Sequence, residues 1–447
     1  MSSELTTTTT VISAKDATNN SQSLTNKDDL IATSFRLHTG RTSKLDVWST
    51  FHIGNFPEDC IDLALGSMNF CPPQWVRDSA NDALGTVSAN HYAHPKGRIR
   101  LRNAIKAFYD PFFSRSLDVE TEILVTSGVT EGMYSVYTAF LNPGDEVIMF
   151  EPFFDQYVPG TTFNGGTPVF VPLHPPPGGK THNSSEWTVD IDELRRAVTP
   201  RSKMIIVNTP NNPVGKVFSY EELHAISLIA KEFNLLVLAD EVYDCMVYAP
   251  KEHIRIATLP GMWERTLTTV SAGKMFAATG WRVGWLIGPK SLIGPTLAAT
   301  TRIVFSTNSP LQEAVAYGLE NAPKINYFPA QLKEYEERRN VFTEALDRIG
   351  LPYCFPEGAY FVLVDISKLK IPEDYNFPDM LNGRARDFKA CWFISFEIGV
   401  NSLPISEFYC EEHSGIGENY ARFCFAKDLD TLRRAAERLA KLADYQM

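Results

Sequence analysis

From about residue 120 the chain alternates between two periods, and this alternation constrains the fold more than any other feature. Apolar runs at 123–126, 146–150, 203–207, 235–239 and 267–271 are each bounded by turn residues. Between them lie helical patterns at 131–141, ended by Asn142-Pro143-Gly144, and at 219–234, opened by the capping-box match Ser219-Tyr-Glu-Glu222. Short apolar strands without polar alternation are strands covered on both faces. The pattern therefore predicts an α/β fold with a mainly parallel, helix-covered sheet.

The last third reads differently. A charged helix is predicted at 331–349, strands at 360–364 and 421–425, and a closing helix at 430–445. These form a smaller α+β domain, and the expected division is a lead at 1–40, a segment at 41–74 that joins the small domain, a large domain at 75–320 and the small domain at 321–447. The Pro-rich stretch at 174–179 reads as a surface loop. The Thr-, Ser- and Asn-rich lead is expected to be disordered, and it lacks the pattern of a signal or transit peptide.

Composition narrows the function classes. The chain has 447 residues, 44% hydrophobic, with a formal net charge of -11, which disfavours nucleic acid as a bulk partner. Its seven cysteines, Cys60, Cys71, Cys245, Cys354, Cys391, Cys410 and Cys424, include no C-x-x-C pair. They read as free thiols, with neither a disulfide framework nor a metal site. No apolar run is long enough to cross a bilayer. A cytoplasmic enzyme is the expectation, with mitochondria as the other address.

In an open α/β sheet, ligands bind outside the carboxyl ends of the strands. The residues found there form a set. Ser127-Gly128-Val129-Thr130 opens a helix after the first run, where amides and the helix dipole favour an anion. Phe154 follows the second run and offers a ring for stacking. Asn212 lies in the rigid loop Thr209-Pro-Asn-Asn-Pro-Val-Gly215. Asp240 closes an apolar strand, where a carboxylate wants a cation, and Tyr243 follows three residues on. Ser271, Lys274 and Arg282 follow the last run, and the arginine fork suits phosphate. Singly, each residue has a plain structural reading. Together they supply a phosphate cradle, a stacking ring, a carboxylate, a phenol, an amine and a guanidinium, the parts a pyridoxal phosphate site needs.

The segments SAGKMFAATGWRVGW (271–285), NTPNNPVGKVF (208–218), ADEVYD (239–244) and EPFFDQY (151–157) resemble fold-type I aminotransferases of class I/II. The resemblance runs from about residue 45 to the end. It is closer to kynurenine–oxoglutarate aminotransferases, also called glutamine transaminase K or cysteine-S-conjugate β-lyase. The run YFVLVDISKLKIPEDY (360–375) draws it toward fungal members.

The resemblance implies pyridoxal 5′-phosphate as cofactor and assigns roles by motif. Lys274 matches the catalytic lysine that anchors the cofactor, Asp240 the partner of its ring nitrogen, and Tyr243 and Asn212 the contacts to its ring hydroxyl. Phe154 matches the stacking ring. Val129, Thr130, Ser271 and Arg282 match the phosphate contacts. Arg422 and Gly66 match the grip on the substrate carboxylate, and Trp48 an aromatic near the substrate. Tyr92 matches a tyrosine that reaches the neighbouring subunit's phosphate, which implies a homodimer with shared active sites.

The implied reaction moves the amino group of L-kynurenine to 2-oxoglutarate, gives kynurenic acid and belongs to tryptophan catabolism. Elimination from cysteine S-conjugates and a broader glutamine or aromatic specificity are the alternatives. Two departures bear on substrate choice: Thr130 stands where mammalian relatives carry tyrosine, and Ser306 where they carry histidine. A non-catalytic regulator on the same fold would need a DNA-binding domain, for which the first forty residues are too few and too polar.

Overall fold

The computed structural model describes residues 50–446. Its larger sheet has eight strands: β1 (Ile123–Thr126), β2 (Glu146–Glu151), β3 (Thr167–His174), β4 (Thr188–Val189), β5 (Ser202–Asn208), β6 (Leu236–Asp240), β7 (Thr266–Ser271) and β8 (Gly284–Ile287). Their order is β1-β8-β7-β6-β5-β2-β3-β4. β8 runs antiparallel to both neighbours and β4 antiparallel to β3, and every other pairing is parallel. The predicted runs are strands within one residue at each end. β8 and the β3–β4 edge were not anticipated.

Alternation across the pleat explains the apolar runs. Met149, Met204, Ile206 and Leu238 face one side, where they meet Met133, Val136 and Tyr137 of the helix Val129–Phe140. Ile148, Ile205, Val207 and Val237 face the other, against Leu223, Ile226 and Ile229 of the helix Tyr220–Glu232. Both faces are buried, so neither can be polar. The Ser219 capping box forms as predicted. Ser219 Oγ accepts from the Glu222 amide at 3.2 Å, and Glu222 Oε2 accepts from the Ser219 amide at 2.9 Å.

A second sheet has five strands in the order Leu403–Pro404, Tyr420–Cys424, Phe361–Asp365, Tyr353–Phe355 and His182–Asn183. The last strand comes from the middle of the chain and pairs parallel with Tyr353–Phe355. Ile61–Asp62 likewise reaches across to pair with Val400–Asn401. The helix Tyr327–Arg348 touches elements around both sheets. Gln331 near its start donates to the Met275 carbonyl at 2.8 Å, while Arg339 further on lies over Tyr248 and Phe355. The closing helix is α-helical over Leu429–Leu439 and tightens to a 3₁₀ turn over Ala440–Tyr445. All seven cysteines are free. Among the described residues no helix is long and apolar enough to cross a membrane.

Candidate active site

The carboxyl ends of β1, β2, β5, β6 and β7 carry most of the predicted site residues, and the register brings two of these ends side by side. Asn208 pairs with Asp240, and Asp240 with Thr269. Asn208 Nδ2 donates to the Asp240 carbonyl at 3.0 Å, and its Oδ1 accepts from the Asn212 amide at 2.8 Å. The strand end thereby fixes the loop that carries Asn212. Gly215, at φ 76°, completes that loop, because a Cβ there would lie 2.6 Å from Pro356.

Asp240 is 3% exposed. Tyr157 Oη donates to its Oδ2 at 2.5 Å, and the Val242 amide to its Oδ1 at 3.4 Å. Among the described residues no lysine, arginine or histidine forms an ion pair with it. Burial raises its pKa to about 6 despite the Tyr157 and Val242 hydrogen bonds and the nearby Lys274. This is a carboxylate short of a cation.

Lys274 follows β7 and keeps only part of its surface open. Its Nζ donates to the Gly66 carbonyl at 3.3 Å and lies over the rings of Tyr243 and Tyr360. Desolvation lowers its pKa to about 8. Arg282 and Arg422 push the same way, and Cys424 and Asp240 push back. Tyr243 is 4% exposed and packs edge-on to Tyr360 at 5.1 Å, and burial holds its phenol protonated. Tyr360 Oη also donates to the Gly66 carbonyl, at 2.9 Å.

Arg422 is 2% exposed. Nη1 donates to Asn212 Oδ1 and Nη2 to the Ala64 carbonyl, both at 2.9 Å, while Nε is buried without a partner. The guanidinium lies over Phe361 and Phe408. No carboxylate forms an ion pair with it among the described residues, so a buried guanidinium waits for an anion. Ala64 and Gly66 belong to one short segment, which therefore holds Arg422 and Lys274 together. Gly66 also allows close approach, since a Cβ there would sit 2.8 Å from Phe361.

At the end of β1, Gly128 has φ 80° and precedes a helix with no side-chain cap. Arg282 lies so close that a Cβ on Gly128 would be 2.4 Å from its Nη2. The first amides of the helix, at Val129 and Thr130, thus open beside a guanidinium, which suits a phosphate. Ser271 ends β7 on the same edge. Phe154 is partly buried, edge-on to Tyr157 at 5.6 Å.

Two expectations lie apart from this cluster. Tyr92 is 87% exposed and rests on Phe305 at the surface, next to Ser306. Trp48 lies outside the described residues. Sequence reasoning did not single out Tyr157, Tyr360, Asn208 or Phe408. Tyr157 could have been found, because it closes the EPFFDQY motif and a buried phenol needs a partner.

The profile of the family Aminotransferase class I and II matches residues 58–439. The chain is similar to a probable kynurenine–oxoglutarate transaminase of Saccharomyces cerevisiae, 42% identical, over 91% of this chain and 94% of that one. It is 39% identical to a kynurenine–oxoglutarate transaminase of Dictyostelium discoideum over 89% of this chain and 94% of the other. The crystal structure of Bna3p, a putative kynurenine aminotransferase from S. cerevisiae, superimposes with a TM-score of 0.89 at 41% identity, covering 93% of this chain and 99% of that one.

Proposed function

Because this chain belongs to the class I and II aminotransferases, which depend on pyridoxal 5′-phosphate, we propose that it moves the α-amino group of L-kynurenine to a 2-oxo acid such as 2-oxoglutarate. The observation that carries the substrate class is Arg422, a buried guanidinium that forms no ion pair among the described residues and lies within the electrostatic reach of Lys274. The choice of kynurenine rests on the relatives that bear that name.

The residues fit the cofactor. Asp240 lacks a cation, and a protonated pyridine nitrogen would supply one. The uncapped helix start and Arg282, with Ser271 beside them, would hold the phosphate. Tyr243 and Asn212 would donate to the ring hydroxyl, and Phe154 would cover the ring. When bound, the cofactor supplies a ring that takes up the electron pair left as the α-proton departs. Asp240 would keep that ring's nitrogen protonated. Arg422 orients the substrate by its carboxylate, with Gly66 leaving room. Lys274 would anchor the cofactor, and desolvation, which lowers its pKa to about 8, favours the neutral Nζ that a base needs. Its Nζ would take the proton from the substrate α-carbon and carry it.

The exposed Tyr92–Phe305 pair faces a second copy of the chain in this reading, with Tyr92 completing the partner's phosphate site. The test is turnover of kynurenine with 2-oxoglutarate, read as kynurenic acid and glutamate. Pyruvate and ammonia from a cysteine S-conjugate, without kynurenic acid from kynurenine, would replace the proposal with β-elimination.

A further inference from the structure

The turn after β6 carries two of the site residues, and a buried cation outside the site holds that turn. Asp240 ends the strand, and Glu241 and Asp244 stand on either side of Val242 and Tyr243. The Glu241 amide donates to the Thr269 carbonyl of β7, and the Asp244 amide to the Glu241 carbonyl, both at 3.0 Å. The two side chains meet at Arg255. Its Nη2 donates to Asp244 Oδ2 at 2.7 Å, and its Nη1 donates to Glu241 Oε2. One guanidinium thus spans the turn from its first residue to its fourth. All three side chains are at most 6% exposed, so water does not compete for these bonds.

Other groups touch one carboxylate each. His253 Nε2 lies 3.0 Å from Glu241 Oε2, and Tyr109 Oη donates to Asp244 Oδ2 at 2.9 Å. Among the described residues only Arg255 pairs with both. The guanidinium is itself held in place. It lies 5.0 to 5.5 Å from the ring centres of Tyr109, Phe112 and Phe113, on the helix Ile99–Phe113. Tyr109 Oη is also 3.9 Å from the sulfur of Met275, the neighbour of Lys274. A planar fork with two donors fixes the separation of the two carboxylates, and with it the pitch of the backbone between them. A lysine, donating from a single point, cannot do this.

We propose that Arg255 is a positioning residue for the reaction: by clamping Glu241 to Asp244 it sets where Asp240 and Tyr243 stand against the cofactor ring, an inference that rests on the cofactor reading above. Arg255 touches neither cofactor nor substrate and acts through the turn. Loosening the fork weakens two contacts together, the Tyr243 donation to the ring hydroxyl oxygen and the Asp240 hold on the ring nitrogen. The first favours the ionised oxygen, and the second keeps positive charge on the ring. Both make a proton elsewhere on the bound chromophore easier to lose, so without them that proton leaves at a higher pH.

The test is Arg255→Lys in the holoenzyme, which keeps the buried charge but not the fork. The absorbance of the bound chromophore, titrated across pH, should change colour about one pH unit higher than in the wild type, the size of one weakened hydrogen bond. Turnover of kynurenine with 2-oxoglutarate should lose about ten- to a hundred-fold in kcat, as a small misplacement of reacting groups costs. KM should hold, because Arg422 lies on another strand and keeps its own partners. Asp244→Asn, which leaves Arg255 paired with Glu241, should shift the midpoint in the same direction by less, and it decides the matter where the lysine variant does not fold. An unmoved midpoint in the folded variant, or a loss of kcat/KM carried by KM, would overturn the proposal while leaving the cofactor reading intact. A wild-type chain that binds no chromophore would instead overturn the cofactor reading, and this proposal with it.

Discussion

Replacing Tyr157 with phenylalanine removes one hydroxyl and the short hydrogen bond it gives to Asp240 Oδ2. A hydrogen bond to a buried charged acceptor contributes about 1.5–3 kcal/mol. At about 1.4 kcal/mol per pH unit, its loss should move the protonation midpoint of Asp240 from about 6 to about 7–8 in the cofactor-free protein. The measurement is the infrared carboxylic-acid band across pH, assigned by its absence in Asp240→Asn. Linkage gives an independent check. The folded carboxyl titrates above its ordinary value of 3.8, so the native state binds more protons than the unfolded chain from about pH 4 up to its own midpoint. Its contribution to stability is present at low pH and is lost as pH rises through that midpoint. Tyr157→Phe should therefore cost about 1.5–3 kcal/mol at pH 8 and much less at pH 4, read by urea unfolding. An unmoved infrared midpoint, or an equal loss at both pH values, would refute the argument that Tyr157 stabilises the charged form.

Other substitutions probe the remaining parts. Lys274→Ala should lower transamination by at least about 10²–10⁴-fold, the worth of positioned proton transfer, and abolish the covalent absorbance of the holoenzyme. Arg422→Lys cannot reach both Asn212 Oδ1 and the Ala64 carbonyl, and should cut kcat/KM for amino acids about ten- to a hundred-fold, mostly through KM. Covalent capture of added cofactor by the cofactor-free protein should speed up as pH rises and level off above about 8, because the neutral Lys274 amine is the nucleophile; a stopped-flow rate that keeps rising about tenfold per pH unit through pH 9 would count against a lowered lysine pKa. Gly128→Ala should weaken cofactor retention on dialysis, since the new methyl meets Arg282 at a backbone angle that side chains disfavour.

The parallel strands were legible because both their faces are buried, which leaves an unbroken apolar run such as Met204-Ile-Ile-Val207. Ser219 was legible because a capping box is local chemistry. β8 was not, because its four residues directly follow the loop after Lys274 and nothing in a short apolar run reports direction. His182–Asn183 carries too few residues for any period to show. Lys274 and Asp240 stood out by residue type at strand ends, and Arg422 only through the family resemblance. Their partners did not, because Tyr157 and Asp240 are 83 residues apart and Arg422 meets Ala64 across 358. Single-sequence patterns report neighbours along the chain, whereas the site is built from contacts across it.

The borrowed edge strand has a consequence for how the protein is made. Residues 61–62 and 182–183 leave the ribosome long before residues 353–355 and 400–401, with which they pair. The smaller sheet cannot close until nearly the whole chain has been synthesised, so the early segments wait with unpaired backbone. Cutting the chain near residue 325 would strip the C-terminal fragment of its edge strand and of the segment that holds Arg422. The two fragments should therefore regain activity only when refolded together, and neither should carry it alone.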